Sequence, residues 1–266
     1  MSSEKLHLNY YLKMVPNSLT LCNSICGFVA IVYMLQVYEM PQYRSLAVFA
    51  TSAWIIICAM IFDVLDGFAA RIFNAASLHG IQMDSLADMV TFGVAPATIC
   101  AIMTHVLRED ETTSFLIYAL CAVYLGCSAL RLATYNVRAM AKEESSGFFS
   151  GLPTPGAAAC VCSMAMLLNY IDFLGPWKHM HKLALYIPCY AAILGLLMVT
   201  PIPYPHMGKW FFSVWRSKRK MALLVIMIMI VFVFKTPGLF ILVNIYAFSG
   251  PISAVYRRIT RKEKTL

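Results

Sequence analysis

The feature that most constrains this chain is a series of long apolar runs, each near the ~20 residues that a helix needs to cross a bilayer. The sequence is 60% hydrophobic and only 13% charged. The runs lack the alternation of a membrane β-barrel, and backbone polar groups in lipid need internal partners, so the spans must be helices. We predict an all-α polytopic membrane protein with eight spans, at roughly 15–37, 46–72, 80–106, 113–136, 154–173, 184–202, 220–236 and 238–256.

The distribution of Lys and Arg predicts the orientation. If the N-terminus is cytoplasmic, the segments on the inner side hold most of the 21 basic residues. This excess agrees with the positive-inside rule and, with eight spans, predicts that both termini are in the cytoplasm. The formal charge of +8 lies largely in these segments and in the C-terminal tail, which favours anionic lipid rather than nucleic acid as a partner. We expect a cytoplasmic-membrane protein with an interfacial segment (1–14), a six-helix core (15–202) and an inner loop, helix pair and basic tail (203–266).

Two pairs of aspartates fall within predicted spans, where carboxylates are costly and usually mark a functional site. Asp63 and Asp66 are three residues apart, and Asp84 and Asp88 are four apart. Each spacing places a pair on one face of a helix. Two such helices in contact would gather four carboxylates around a hard cation. An all-oxygen set favours Mg²⁺ or Mn²⁺ over zinc.

The aspartates belong to a longer pattern, D-x-x-D-G-x-x-A-R-x(8)-G-x-x-x-D-x-x-x-D, whose fixed positions are all present. In this pattern the sequence resembles the CDP-alcohol phosphotransferase family. The resemblance implies an enzyme that displaces CMP from a CDP-linked lipid with an alcohol, at a site near the cytoplasmic surface, and it implies a homodimer. The fixed positions are Asp63, Asp66, Gly67, Ala70, Arg71, Gly80, Asp84 and Asp88.

The resemblance also implies a role for each part of the pattern. The first three aspartates are metal ligands, and Asp88 accepts the proton of the attacking alcohol and can also touch the metal. Glycines allow a nucleotide to approach the backbone, and Arg71 offers a planar fork of donors to phosphate or cytosine. Buried ion pairs of the aspartates with Arg71 or Arg131 are the structural alternative. The expected CDP-lipid contacts are Asn17, Thr20, Asp66, Gly67, Ala70, Arg71, Ser77 and Gly80.

Asn17 and Thr20 are included because P-N-S-L-T, starting at Pro16, is similar to a family segment that lies beside the nucleotide. This segment is expected to open the first span. Capping of the helix start by Asn17 or Ser18 is therefore an equally open alternative.

Four further segments are similar to the phosphatidylserine synthase branch of the family. They are F-G-V-A-P-A from Phe92, R-L-A-T-Y-N from Arg131, F-S-G-L-P-T-P from Phe149 and Y-P-H-M-G-K from Tyr204. The second departs from the family at positions 134 and 135, where Thr-Tyr replaces the usual Arg-Phe. The resemblance implies CDP-diacylglycerol and L-serine as substrates.

The predicted serine-binding residues are Arg131, as a clamp for the carboxylate, and Asn136. An ion pair between Arg131 and a motif aspartate is the alternative for that residue. Glycerol 3-phosphate or inositol phosphate is the alternative acceptor. The phosphate of such an acceptor would favour additional basic residues near Asp88, where the sequence offers Arg131, Arg138 and Lys142. In a different class, an ion or proton transporter also uses intramembrane aspartates, although the chain shows no internal repeat of the transporter kind.

Overall fold

The computed structural model describes residues 3–39, 45–73, 77–108, 114–140, 148–175, 183–205 and 217–263. Nearly all of these residues are helical, which confirms the predicted all-α class. The helices are α1 (Ser3–Met34), α2 (Ser45–Ile72), α3 (Leu78–Asp88), α4 (Ala95–Leu107), α5 (Ser114–Met140), α6 (Thr154–Leu174), α7 (Tyr186–Val199) and α8 (Lys218–Glu263). Two short strands, β1 (Phe148–Ser150) and β2 (Pro203–Pro205), pair antiparallel.

Six stretches of the described chain are long and apolar enough to cross a membrane. Five of them match the first five predicted spans. The sixth predicted span is shorter than expected, because its helix, α7, has only 14 residues. The last two predicted spans are joined in one element, α8. The candidate spans are Met14–Tyr38, Ser45–Ile72, Leu78–Leu107, Phe115–Arg138, Thr154–Leu174 and Lys218–Arg257.

The start of α1 differs from the prediction. The helix begins at Ser3, and Pro16 lies inside it. Asn17 and Ser18 therefore do not cap the helix start, and that alternative is wrong. The side chains here take other partners: Ser18 Oγ donates to the carbonyl of Met14, and Thr20 Oγ1 lies 3.0 Å from the carbonyl of Pro16.

A π-helical segment, Met89–Val94, joins α3 to α4 in a single continuous rod. Pro96 follows it and has no N–H to give to the carbonyl of Phe92, four residues earlier. The buried Tyr124 hydroxyl donates to that carbonyl at 2.9 Å. Gly27 of α1 packs so closely on this segment that a Cβ there would overlap Thr91. These contacts fix α1 and α5 against the rod that carries Asp84 and Asp88.

The rest of the core centres on α6, which packs against α2 and α8, while α5 packs on α7. Pro153 stands at the N-cap position of α6, and Pro155 lies in its first turn, where a missing N–H costs no helical hydrogen bond.

The last element, α8, is a C-terminal hairpin (residues 218–263) rather than one straight helix. Lys235 has φ 50°, a conformation that does not continue a helix. In a straight helix, residues eight apart lie ~12 Å from each other. Instead, a Cβ on Gly238 would lie 2.6 Å from the carbonyl oxygen of Ile230. The chain therefore turns back at Lys235 into two arms, residues 218–234 and 236–263.

The second arm of the C-terminal hairpin is anchored to the core by specific contacts. Tyr204 Oη donates to the carbonyl of Ala247 at 2.7 Å, and Tyr190 Oη donates to Asn244 Oδ1 at 2.7 Å. The ring of Tyr204 also lies against Gly250, where a Cβ would overlap it. Burial raises the pKa of the Tyr204 hydroxyl to about 12, so the hydroxyl keeps its proton as a donor.

Candidate active site

Aspartates of α2 and α3 approach one another at the proposed site. Asp63, Asp66 and Asp84 each present a carboxylate oxygen, and the three oxygens lie within 4.8 Å of one another. Asp66 is buried, and the other two are half-buried. The helical spacing in the sequence therefore predicted this cluster correctly for three of the four carboxylates.

Asp88 lies one turn after Asp84 and outside this close group of three. It is 8% exposed. Its Oδ1 accepts a hydrogen bond of 3.1 Å from Nδ2 of Asn23, a fully buried residue of α1. The backbone carbonyl of Asn23 in turn accepts from Thr91 Oγ1 at 2.9 Å. The amide of Asn23 thus fixes one oxygen of Asp88, which lies outside the close group of three.

Thr20 connects α1 to the cluster directly. Its hydroxyl lies 2.7 Å from Asp66 Oδ2, and the threonine is buried. The prediction that Thr20 belongs to the site is consistent with this position, although its nearest contact is a carboxylate. Such a hydrogen bond fixes the orientation of Asp66.

Several of the predicted nucleotide contacts lie close to one another. Gly67 has open space around it, where a Cβ would meet no atom within 4 Å. At Gly80, a Cβ would lie 3.8 Å from Asn17 Oδ1 and 3.2 Å from Ser77 Oγ. The Ser77 oxygen caps α3 by accepting from the Gly80 N–H at 3.0 Å, which leaves its own proton to donate. Gly67 therefore leaves room at the backbone, whereas Gly80 lies in close contact with the oxygen that caps α3.

Two other predicted contacts lie in the last turn of α2. Ala70 is half-buried, and Arg71 is exposed at the last turn of the helix. An exposed guanidinium at this position is accessible to a soluble headgroup.

The two residues predicted to bind the acceptor have different surroundings. Arg131 is half-buried and lines a cavity together with Asp63, Asp84 and Asp88. Asn136 accepts a hydrogen bond of 2.7 Å from Ser85 Oγ, next to Asp84 in sequence. The structure therefore brings Arg131 to the carboxylates and attaches Asn136 to α3.

The cavity has a volume of about 910 Å³, within the range of small-molecule sites. Its polar members include three of the aspartates and Arg131, whereas most of the wall is apolar. Residues from both arms of the C-terminal hairpin complete this wall. The site thus joins a charged region to a large apolar chamber.

The carboxylate cluster fits a divalent cation. Opposite ligands of a Mg²⁺ ion are ~4.2 Å apart, close to the spacing of these oxygens. Three carboxylates within 4.8 Å of one another would repel by roughly 3 kcal/mol or more per pair at an effective dielectric constant of about 20, which a cation would offset. Among the described residues, Asp84 Oδ1 is buried without a hydrogen-bond partner. The oxygen-only donor set matches Mg²⁺ or Mn²⁺.

Comparison with known proteins identifies the family. Residues 13–197 match the family model described as CDP-alcohol phosphatidyltransferase. The chain belongs to the CDP-alcohol phosphatidyltransferase family. The predicted enzyme class is therefore confirmed, and the transporter alternative is not supported.

Three relatives of this CDP-alcohol phosphatidyltransferase are named CDP-diacylglycerol–serine O-phosphatidyltransferase. The protein of Helicobacter pylori (strain 26695) is 31% identical over 241 residues, which cover 91% of this chain and 91% of the relative. The Bacillus subtilis protein is 31% identical over 201 residues, which cover 73% of this chain and 92% of the relative. The Saccharomyces cerevisiae protein is 38% identical over 155 residues, which cover 55% of this chain and 51% of the relative.

Sequence reasoning missed two parts of the phosphatidyltransferase site. Asn23 was overlooked, although an amide three residues after Thr20 on an apolar helix is itself unusual in a membrane span. The contribution of the C-terminal hairpin was also missed. Its side chains are ordinary lipid-facing residue types, so the sequence carries no signal for it.

Proposed function

We propose that this phosphatidyltransferase transfers the phosphatidyl group of CDP-diacylglycerol to the hydroxyl of L-serine, giving phosphatidylserine and CMP. The observation that carries the proposal is the convergence of aspartates from two helices on a chamber whose remaining wall is mostly apolar. The names of the three relatives support serine as the acceptor. A site of this kind accommodates a lipid with a pyrophosphate headgroup.

In this proposal, Asp63, Asp66 and Asp84 hold Mg²⁺ or Mn²⁺. When bound, a divalent ion neutralises charge on the pyrophosphate and on the departing CMP. Asn17, Gly67, Ala70, Arg71, Ser77 and Gly80 bind the nucleotide part of the CDP-lipid. Thr20 holds Asp66 in position.

Asp88 is the proposed general base. As the serine oxygen forms its bond to the phosphatidyl phosphorus, the bond from that phosphorus to CMP breaks, and the hydroxyl proton passes to Asp88. The hydrogen bond from Asn23 orients the carboxylate for this transfer. The position of Asp88 in the cavity, outside the close group of three, supports a role distinct from theirs.

Arg131 is the proposed partner of the serine carboxylate, because a guanidinium offers two parallel donors to such a group. Asn136 uses its Oδ1 to accept from Ser85, which leaves its amide N–H groups to donate to the acceptor. A zwitterionic acceptor suits a site that contains both carboxylates and the guanidinium of Arg131.

The proposed setting is the cytoplasmic membrane, with both termini and the site on the cytoplasmic side. The diacylglycerol tails then stay in lipid while serine arrives from the cytosol. A homodimer is proposed from the family resemblance alone.

The decisive experiment supplies the purified protein with CDP-diacylglycerol, Mg²⁺ or Mn²⁺, and one acceptor at a time: L-serine, glycerol 3-phosphate or inositol phosphate. We expect CMP release to depend on serine, with phosphatidylserine as the lipid product. If a phosphorylated acceptor gave faster CMP release than serine, that acceptor would be the substrate instead.

A further inference from the structure

The first arm of the C-terminal hairpin stands off from the core of the protein. Among the described residues of the first arm (218–234), none is buried, whereas half of the most apolar stretch of α2 is buried. The hairpin contacts described above, through Tyr204 and Tyr190, involve the second arm. The first arm therefore faces the core across a space rather than across packed side chains.

That space is the cavity of the active site. Leu224, Met227 and Val231 line it from the first arm, at the i, i+3, i+7 spacing of one helical face. Leu239, Val243 and Tyr246 line it from the second arm with a similar spacing. The hairpin thus directs one face of each arm toward the chamber that also contains Asp63, Asp84 and Asp88.

The physical properties of the chamber restrict what occupies it. Apolar walls exclude water, which needs two to four polar partners. An empty chamber of this size would forfeit the dispersion contacts of its lining. An alkyl chain satisfies the walls without requiring hydrogen bonds. Since the same cavity reaches the carboxylates, the chain and the reacting headgroup can belong to one molecule.

We propose that the C-terminal hairpin forms the wall of an acyl-chain site, and that the cavity-facing side chains of its first arm determine which chain lengths of the CDP-lipid react. This inference rests on the proposed function for the identity of the headgroup. It assigns a function to a part of the chain that lies beyond the residues matched by the family model, 13–197.

The test uses tryptophan substitutions in matched pairs on the first arm. Val231→Trp and Met227→Trp introduce bulk into the chamber. Val233→Trp and Met229→Trp are the controls, since both side chains are more than half exposed and neither lines the cavity. The full-length protein is assayed in detergent with CDP-dioctanoylglycerol and with CDP-dioleoylglycerol, using whichever acceptor releases most CMP.

The proposal predicts that the two cavity-facing variants lose at least ~tenfold more kcat/KM with the dioleoyl than with the dioctanoyl substrate, the size of effect that pocket shape produces. The controls should keep the wild-type ratio. An equal loss with both substrates, no loss, or the same change in the controls would overturn it. If a tryptophan variant does not fold, Val231→Ala and Met227→Ala test the same site, with a relative gain for the bulkier substrate.

A binding measurement separates this inference from the proposed function. The two CDP-lipids are compared as ligands, without any acceptor, by their effect on thermal unfolding of wild type and variants. A chain-length preference that only the cavity-facing variants alter supports the hairpin site even if serine is not the acceptor. An unaltered preference contradicts the hairpin site even if phosphatidylserine is formed.

Discussion

Asn23 and Asp88 lie 65 positions apart in the chain, and Asn23 Nδ2 donates to Asp88 Oδ1 at 3.1 Å in a buried setting. The bond links α1 to the last aspartate of the motif. It holds one carboxylate oxygen in a fixed direction. A base that must meet a hydroxyl in one orientation benefits from such a constraint.

Asn23→Leu should therefore affect turnover more than substrate binding. Hydrogen bonds to charged groups contribute ~1.5–3 kcal/mol, so we expect kcat to fall ~10–100-fold. The KM for CDP-diacylglycerol should change little. Steady-state kinetics check this, with Ser24→Ala on the next residue as the control. A normal kcat, or a loss confined to KM, would exclude the positioning role.

Asp88→Asn keeps the shape of the side chain and removes its basicity. General bases contribute ~10²–10⁴-fold, so kcat should fall by at least ~100-fold. The variant should still bind CDP-diacylglycerol, which is measured as a rise in the unfolding temperature when the lipid is added. Asp172→Asn, near the end of α6, is the control. Substantial turnover by the Asp88 variant would remove this residue as the base.

Thr20→Val should weaken metal binding, because Asp66 loses the hydroxyl that orients it. Loss of such an outer partner typically costs ~10–100-fold in metal affinity. The concentration of Mg²⁺ or Mn²⁺ for half-maximal activity should rise accordingly, while saturating metal restores much of the rate. Thr51→Val on the exposed side of α2 is the matched control, since its hydroxyl donates to the carbonyl of Ala47 in the preceding turn. Equal metal requirements in both variants would contradict the assignment.

Arg131→Ala should raise the KM for serine far more than the KM for CDP-diacylglycerol. A lost charge-assisted hydrogen bond corresponds to a factor of ~10 or more. Arg257→Ala, exposed near the end of the hairpin, serves as the control. Equal changes in the two KM values would show that Arg131 supports the structure instead.

Tyr204→Phe should loosen the hairpin, because the carbonyl of Ala247 loses its donor. A buried unsatisfied carbonyl costs ~1–3 kcal/mol, which lowers the temperature of unfolding by several degrees. Tyr186→Phe, whose side chain is 69% exposed, is the control. An unchanged unfolding temperature for the Tyr204 variant would show that this bond does not anchor the hairpin.

The same tyrosine predicts a pH dependence. Its pKa is about 12 in the folded protein and near ~10 when unfolded. The unfolded state therefore releases the proton first, and the stability from this group is complete below pH ~10 and lost as the pH rises toward 12. The Tyr204→Phe variant should lack this part of the alkaline decline in unfolding temperature. An identical decline in both proteins would assign it to other groups.

The sequence predicted the local features well. Helical periodicity predicted that Asp63 and Asp66 share one face of α2, whereas the approach of Asp84 also required that α3 meet this face. The end of each apolar run likewise located most helices. Such features depend on neighbours within two turns of the same element.

The remaining features depend on contacts between distant elements. Asn23 meets Asp88 only because Gly27 lets α1 approach the π-helical segment that follows Asp88. The C-terminal hairpin reaches the site through the docking of Tyr204 against Gly250, 46 residues later in the numbering. Hydropathy cannot distinguish a helix that lines a substrate chamber from one that faces lipid.

In the proposed mechanism, Asp63, Asp66 and Asp84 hold a divalent ion beside the pyrophosphate of the CDP-lipid. The most direct test of this arrangement is anomalous diffraction from crystals grown with Mn²⁺ and CDP-diacylglycerol. We expect a manganese peak within ~2.3 Å of oxygens from these three side chains and from the pyrophosphate. A bound CDP-lipid with no manganese peak there, or with the peak at other residues, would contradict it.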